Sequence, residues 1–467
     1  MAGVFFTAGE RKKRAGVYQR YENHGSPVFA GASDGVVAAV ISSTWGALNE
    51  VVNIENSVQA AELFGTSGNA YIIDEAFAGG ASLVRAVRVG AGGTKATAEL
   101  KDENTTTAIK ISAKHAGTRQ FSYAIRAVVD DSTKQEFVLF EGNKVLEKFK
   151  FDKAQGVVEL MEKGKESKYL DFERVGAESV VLVACGETSM TAGTNPTVET
   201  AAYSDALIKL EPYTYNALCV DSNDVAVHAL VAAYMARTYQ DGKTGVAFIG
   251  EPISVDYEER MRHAAAFNDY KVAYVGGGWY DNDVLVDGYR AAARMAGMYA
   301  CIPSNQSLTH KVIANADRPA EMLTNSQYES SIDNGMITFS QSPSGAVWVE
   351  SGINTLVSPI GEDDEGWKKL KRTKVRFEVM DRVNNAIAPL IGTINNDSDG
   401  RAAVIQNAQG VLNAMIAEKK LMPGASVAED TTNAPEGDSA WFVIHADDID
   451  SLEKVYFTYR FRFATNS

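Results

Sequence analysis

The sequence predicts a multidomain α/β and α+β protein, with an α/β core interrupted by an inserted β domain and followed by a C-terminal α+β unit. Three observations carry this. Short, continuous apolar strands alternate with helical segments on either side of a long β-textured stretch, the pattern of a largely parallel sheet covered on both faces. Residues from about 95 to 195 turn polar and strand-like between turn-rich segments, as in a small β-sandwich. The length of 467 residues also exceeds what one core holds.

VVAAVIS (Val36–Ser42) is the first strand, followed by a helix at NSVQAAELFG (Asn56–Gly65), a further segment at Tyr71–Ala78, and the strand LVRAVRV (Leu83–Val89). The insert carries IKIS, YAIRAVV, EFVLFEG and SVVLVAC. From Thr200 the α/β texture returns. AAYSDALIKLE reads as a helix, YNALCV as a strand, and DVAVHALVAAYMARTYQDG as a helix closed by Gly242. The strand GVAFIG, the helix SVDYEERMRHAAAFN, the strand KVAYVGG and a helix over DVLVDGYRAAARMAGMYACI complete the core.

In the C-terminal unit, WKKLKRTKVRFEVMDRVNNAIAPLIG reads as a helix with a basic first half. GRAAVIQNAQGVLNAMIAEKK is a second, with Val404, Ala408, Val411, Leu412 and Met415 on one face, stopped by Pro423–Gly424. Two strands follow, SAWFVIHADD and KVYFTYRFRF. In the latter, Val455, Phe457, Tyr459, Phe461 and Phe463 point one way and Tyr456, Thr458, Arg460 and Arg462 the other. Such a strand, left at a sheet edge, invites pairing with another molecule.

Composition excludes several classes. Hydrophobic residues at 45% and charged residues at 22% are those of a soluble globular protein. A net charge of −15 argues against nucleic-acid binding. No apolar run reaches membrane-spanning length, and MAGVFFTAGERKKR places its charges after its apolar residues, unlike a signal peptide. Cys185, Cys219 and Cys301 lie in apolar runs and read as buried, reduced thiols of a protein folded in a cytoplasm.

GETSMTAG (Gly186–Gly193) and KHAGT (Lys114–Thr118) echo the serine and histidine segments of subtilisin-like proteases, with Ser189 as nucleophile and His115 as base. That mechanism needs the serine at a helix start beside oxyanion donors. Gly193 and Pro196 follow too soon for a helix. A strand entering a loop is the better reading. Gly276–Gly278 follows a strand but lacks the remaining residues of a phosphate loop. The six histidines show no metal-ligand spacing, and His228 reads as a core residue. No catalytic residue, cofactor or metal site is expected.

The basic run Lys368, Lys369, Lys371, Arg372, Lys374 and Arg376 is the most polarised feature of an acidic chain. It reads equally as a solvated helix face after the acids Glu362–Glu365 or as a contact with an acidic partner. Lys368, Arg372 and Arg376 fall at four-residue spacing and would share one face.

AGMYACIPSNQSLTHKVI (Ala296–Ile313), with SGINTL (Ser351–Leu356), resembles the signature of contractile phage tail sheath proteins. KVRFEVMDRVNNAIAPLI (Lys374–Ile391), NNDSDGRAAVI and DSLEKVYFTYRF are similar to that family's C-terminal domain. RKKRAGVYQRYENHG (Arg11–Gly25) resembles its opening, with Ala15 where proline is common, and TAGTNPTVETAAYSDAL (Thr191–Leu207) its return to the α/β domain. The likeness is strongest to medium-length sheaths of Gram-positive phages and phage-tail-like bacteriocins.

This resemblance implies a subtilisin-like core without protease activity over 27–95 and 196–358. It further implies an arm and linker over 1–26, an outward-facing insert over 96–195, and an assembly domain over 359–467. Strands would be exchanged between subunits through Val4, Phe5 and Phe6 at one end and Val455, Phe457, Tyr459, Phe461 and Phe463 at the other. The implied homo-oligomer is a helical stack of six-fold rings around a tail tube protein, contacted by Lys368, Arg372 and Arg376. Baseplate and tail terminator proteins are the further implied partners. The particle would be a virion or bacteriocin assembled in the host bacterial cytoplasm, with no nucleic-acid contact and no membrane insertion.

Overall fold

The computed structural model describes residues 35–66, 71–178, 180–361 and 363–462, with the backbone of two short strands, Val4–Phe5 and Tyr18–Gln19. At its centre lies a seven-stranded sheet. Across it run Met336–Ile337, Val272–Val275, Val246–Gly250, Ala217–Val220, Val36–Ile41, Leu83–Arg88 and Val51–Ile54, every neighbour parallel except the last pair. The chain builds one side of Val36–Ile41, leaves for the insert, and returns to build the other side outward.

All six residues of Val36–Ile41 are buried, which explains its unbroken apolar run. Val37, Ala39 and Ile41 meet the helices Tyr71–Ala78 and Gly288–Cys301. Val36, Ala38 and Val40 meet Thr200–Leu210, Val225–Gln240 and Tyr257–Phe267. A period of two supplies each face with its own set, and each fully buried side chain such as Phe248 contributes roughly 1.5–3 kcal/mol. Helix Ser57–Phe64 starts and stops as its sequence predicts, with Asn56 accepting from the Gln59 N–H and Gly65 at φ +81° closing it.

Within the core, one expected helix is shorter. The segment from Asp283 is not a single helix. Val284–Val286 forms an antiparallel strand against Trp279–Asp281, and the helix begins only at Gly288. Gly288 sits at φ +53°, where an added Cβ would lie 2.4 Å from the Asn223 side-chain oxygen.

The insert consists of two antiparallel sheets. One orders Lys144–Asp152, Asp131–Glu141, Ser122–Val128 and Cys185–Ser189; the other orders Leu170–Arg174, Thr107–Ala116 and Lys95–Lys101. It also holds a helix, Gly156–Gly164, whose Val157 and Leu160 share the insert's core with Phe137, Leu139 and Ile111. The all-β expectation is corrected there.

The entering and leaving strands pair as a neck. Ala91 and Thr197 exchange backbone hydrogen bonds of 3.0 Å, and Thr94 and Thr194 bonds of 3.2 and 3.1 Å. From the core, Trp45 is sunk into the insert, edge-on to Phe121 and stacked on Tyr169, with the Arg119 guanidinium 4.8 Å above its ring. The fully buried Arg88 donates to the carbonyls of Ser43, Gly46 and Ala116, joining core and insert, and has no acidic partner among the described residues. Burial lowers its pKa to about 10.

The C-terminal unit starts with a short turn of helix, Glu365–Lys368, followed by helices Leu370–Ile387 and Ser398–Ala417. Ala408, Val411, Leu412 and Met415 form its core with Val375 and Val427, while Val404 is half-buried. The second helix ends at Ala417, before Pro423–Gly424. Ser426–Glu429 and Phe442–His445 then form a two-stranded antiparallel sheet. Cys219 is buried as expected, but Cys301 at its helix end is exposed.

Candidate assembly interface

Helix Leu370–Ile387 joins this unit to the core. Lys374 Nζ donates to the carbonyls of Tyr299, Ala300 and Ile302 at 2.7, 3.0 and 2.6 Å. Orphan carbonyls at the negative end of helix Gly288–Cys301 thereby meet a cation. Deeper in the joint, Glu378 pairs with Lys420 at 2.7 Å and Arg382 at 2.6 Å, and Arg382 also holds Glu418 at 2.8 Å. Burial works against charging Glu418, yet Arg382 and Lys420 keep its carboxyl below the ordinary range.

The basic run continues this fastening. Lys368 closes the short helical turn, ahead of the α-helix that carries Arg372 and Arg376, and pairs with Glu365 at 2.7 Å. Arg372 and Arg376 converge on Asp448, whose side chain is 6% exposed, at 3.0 and 3.2 Å. Arg376 also reaches Asp364 at 3.0 Å. Lys369 binds Asp450 at 2.8 Å and Glu453 at 3.0 Å. Glu453 in turn accepts from the hydroxyls of Ser307 and Thr309 at 2.9 and 3.1 Å. Much of the run is thus neutralised within its own chain and holds residues 448–453 in place. Sequence reasoning missed Asp448, Asp450 and Glu453, although the acidic stretch DDIDSLE close after the Phe442–His445 strand was the available signal.

Residues 454–462 are exposed. The expected strand from Val455 has no ladder partner among the described residues and is not a strand in this structure. The cause is simple: β-structure requires a neighbour to pair with. Its conformation is nevertheless extended, because Phe457 and Tyr459 rings lie 6.2 Å apart and Tyr459 and Phe461 rings 6.1 Å apart, as residues two apart on one face do. Phe457 is 74% and Phe461 92% exposed, an apolar row left open to solvent. Val4–Phe5 forms a parallel two-residue ladder with Tyr18–Gln19. Phe6 and Phe463 lie outside the described residues.

The hydrolase constellation is not assembled. Ser189 stands exposed at the end of a strand, opposite Ser122 in the four-stranded sheet. His115 belongs to the three-stranded sheet, edge-on to Trp45 at 4.8 Å. Burial, then the nearby Arg88 charge, keeps the His115 pKa below its usual value. Gly276–Gly278 is filled by its own surroundings: an added Cβ would lie 2.2 Å from the Met336 sulfur at Gly276 and 2.6 Å from the Val286 carbonyl oxygen at Gly278. Among the described residues, no group of three or more His, Cys, Asp or Glu side chains is placed to hold a metal ion, and no helix is long and apolar enough to cross a membrane. His228 is a core histidine, fully buried, its Nε2 2.8 Å from the Ser222 carbonyl oxygen.

A covered α/β core bearing an insert of two antiparallel sheets is followed here by a small two-stranded sheet and an exposed aromatic row, the architecture of a structural subunit. Residues 197–355 match the family model for the phage tail sheath protein central domain, and residues 35–89 that for the tail sheath protein Gp18 domain III N-terminal region. The two matches flank the insert and fall on the two halves of one sheet. Phage-like element PBSX protein XkdK of Bacillus subtilis (strain 168) is 23% identical over 492 residues, spanning 98% of this chain and 99% of its own. A sheath tail protein from Desulfitobacterium hafniense shares the fold with a TM-score of 0.72 at 20% identity, over 93% of this chain and 100% of that one. The contracted sheath complex of an extracellular contractile injection system, PVC, aligns with a TM-score of 0.58 at 9% identity, over 97% of this chain and 98% of that one. Residues 35–89 and 197–355 are thus tail sheath domains, and the chain is similar in fold to a sheath tail protein over nearly its whole length.

Proposed function

We propose that this chain is the structural subunit of a contractile sheath, polymerised as stacked six-membered rings around an inner tube. Contraction from an extended to a wider packing drives the tube through a target envelope. The observation that carries the reading is the exposed aromatic row over residues 455–461, in a chain whose two-stranded C-terminal sheet has no further ladder partner among the described residues. Subunits joined there by exchanged strands keep their connections while rigid bodies rotate and slide. Val4, Phe5, Phe6, Val455, Phe457, Tyr459, Phe461 and Phe463 are the proposed exchanged residues. The hydrogen bonds of Lys374 to core carbonyls and the ion pairs of Glu378 with Arg382 and Lys420 support a core and C-terminal unit that move as one body.

The same reading makes the core a non-catalytic relative of the subtilisin fold and the insert an outward-facing decoration. Its partners are the tail tube, baseplate and terminator proteins, and its site of assembly is the host bacterial cytoplasm. Lys368, Arg372 and Arg376 are proposed to face the tube by their position in the C-terminal unit. The pairing of Arg372 and Arg376 with Asp448 leaves Lys368 as the residue whose reversal tests tube contact without loosening the fold.

The test is negative-stain microscopy of purified protein over a range of concentrations, with and without co-expressed tube protein. Wide hollow tubes with a helical surface lattice are expected. Monodisperse particles under both conditions would overturn the reading.

A further inference from the structure

Helix Leu370–Ile387 is fastened by carboxylates that each meet a cation. Glu378 pairs with Lys420 and Arg382, Glu418 with the same two side chains, and Asp448 with Arg372 and Arg376. Asp381, one turn after Glu378, has no cationic partner among the described residues. It accepts from the Thr244 hydroxyl at 2.8 and 2.7 Å, and the Glu378 charge acting on it has its own sign. A half-buried carboxylate without a counter-ion, set in the wall of a cavity, is a candidate binding group.

That cavity measures about 370 Å³ and lies between the C-terminal unit and the core. Besides Asp381 and Thr244 it is lined by Tyr213, Thr214, Asn384 and Asn385. Residues three and four apart on a helix share a face, so the carboxylate and both amides open onto one space. Asn384 and Asn385 are exposed, and neither makes a side-chain hydrogen bond among the described residues. Inward, beside Tyr299 and Phe377, the space shrinks to about 20 Å³, room for no more than a water. A ligand therefore lies in the outer part, against Asp381 and the amides.

The cations nearby are already engaged. Lys243, on the rim, donates to the carbonyls of Glu211 and Tyr213, and Arg85 donates to that of Thr214. The site therefore offers one carboxylate among neutral hydroxyl and amide oxygens. A hard divalent ion is served by several anionic oxygens, whereas a primary ammonium carries a single charge and three N–H donors. We propose that the cavity binds the primary ammonium group of a small aliphatic amine, seated between Asp381 and the amide oxygens of Asn384 and Asn385, with its carbon chain against Tyr213. The volume is that of a small-molecule site. Because the walls come from both units, an occupied site ties helix Leu370–Ile387 to the core and stabilises the fold by mass action. It is independent of strand exchange and of the tube.

The experiment follows thermal unfolding of the full chain against cadaverine, below the assembly concentration, near pH 7 and at constant ionic strength. The midpoint is expected to rise with the logarithm of amine concentration, by about 3–5 °C at a hundredfold excess over the dissociation constant. Pentan-1-ol, with the same chain length and no charge, should leave it unmoved. Asp381→Asn keeps an oxygen for Thr244 and should weaken binding about tenfold or more. Asn384→Asp adds a second carboxylate at an exposed helix position and should tighten binding about threefold, a gain that damaged packing does not produce. Equal shifts in wild type and Asp381→Asn overturn the proposal, as does the absence of a cadaverine shift. A pentan-1-ol shift matching that of cadaverine makes the cavity an apolar site and overturns it too. So does a magnesium chloride shift that exceeds cadaverine's and disappears in Asp381→Asn.

Discussion

The Ser307 hydroxyl donates a 2.9 Å hydrogen bond to the Glu453 carboxylate, tying the segment that bears the sheath signature to the root of the C-terminal arm. Thr309 and Lys369 hold the same carboxylate. Among the described residues, no hydrogen bond or ion pair fastens the chain beyond Glu453. Glu453 therefore marks where the fold ends and the proposed assembly element begins.

Truncation after Glu453 should separate them. Tyr456 is already 87% exposed and residues 454–462 are all exposed, so removing the chain from Lys454 onward deletes, over those residues, surface that the lone subunit does not bury. The thermal midpoint is expected within about 2 °C of the full chain, because ~0.5 kcal/mol or less is at stake. Light scattering and microscopy should show that assembly is lost. A large fall in the midpoint would mean the arm packs on its own subunit, contrary to its exposure.

Asp448→Asn should loosen the root of the arm from the other side. The substitution removes the negative charge facing both Arg372 and Arg376, and the site is largely shielded from water. Losing one partner of such a cluster costs about 2–4 kcal/mol. The drop should appear in urea unfolding and in faster hydrogen exchange over 446–453. Lys368→Glu, whose own partner Glu365 is exposed, should change stability by under about 0.5 kcal/mol. If the two variants were equally stable, the basic run would be a solvated face after all.

The core was readable because both faces of its sheet are covered, so Val36–Ile41 and Val246–Gly250 appear as unbroken apolar runs. The alternation from Val455 to Phe461 was equally legible, and its extended form is retained, although it has no pairing partner among the described residues. Elements that contradict their surroundings were lost. Gly156–Gly164 is a nine-residue helix set among strands, and Asn325–Asp333 is a polar helix announced only by the Thr324–Gln327 capping box. Val284–Val286 ran into the apolar pattern of the next helix. At the interface, the basic residues were visible as a type but not their partners, since Asp448 lies 72 to 76 residues further along the chain. Such pairing is set by tertiary packing, which local periodicity does not encode.

Trp45→Ala should uncouple the insert. Trp45 is 3% exposed and contributes from the core's side to a cluster with Phe121, Tyr169 and Arg119. Truncating a buried tryptophan costs about 3–5 kcal/mol. The neck of paired threonines alone would then hold the insert, so proteolysis should cut near residues 91–97 and 191–197 at lower protease concentration. The α/β core, whose clusters do not include Trp45, should keep its own unfolding transition. A single unshifted transition with unchanged proteolysis would show that the plug carries no load.

Asp381 provides a test with a defined sign. Its carboxylate accepts from the Thr244 hydroxyl at 2.8 and 2.7 Å across the cleft between core and C-terminal unit. Burial raises its pKa above 3.8; Thr244 opposes this, and the Glu378 charge adds to it. A native carboxyl that holds its proton more tightly than the unfolded one favours folding at low pH. That contribution falls as pH rises from 3.8 through the native value. Asp381→Asn keeps an oxygen for Thr244 and removes the buried charge, so it should stabilise the protein at pH 7 by on the order of 1 kcal/mol. Glu418 and Asp450 act in the opposite sense, since their cationic neighbours depress their pKa values and their contribution is lost on acidification. The difference between variant and wild type should therefore shrink towards acid even as both weaken. Urea midpoints measured between pH 4 and 8 read this directly, and a variant less stable than wild type at pH 7 would mean the ionised carboxylate is held favourably in the cleft.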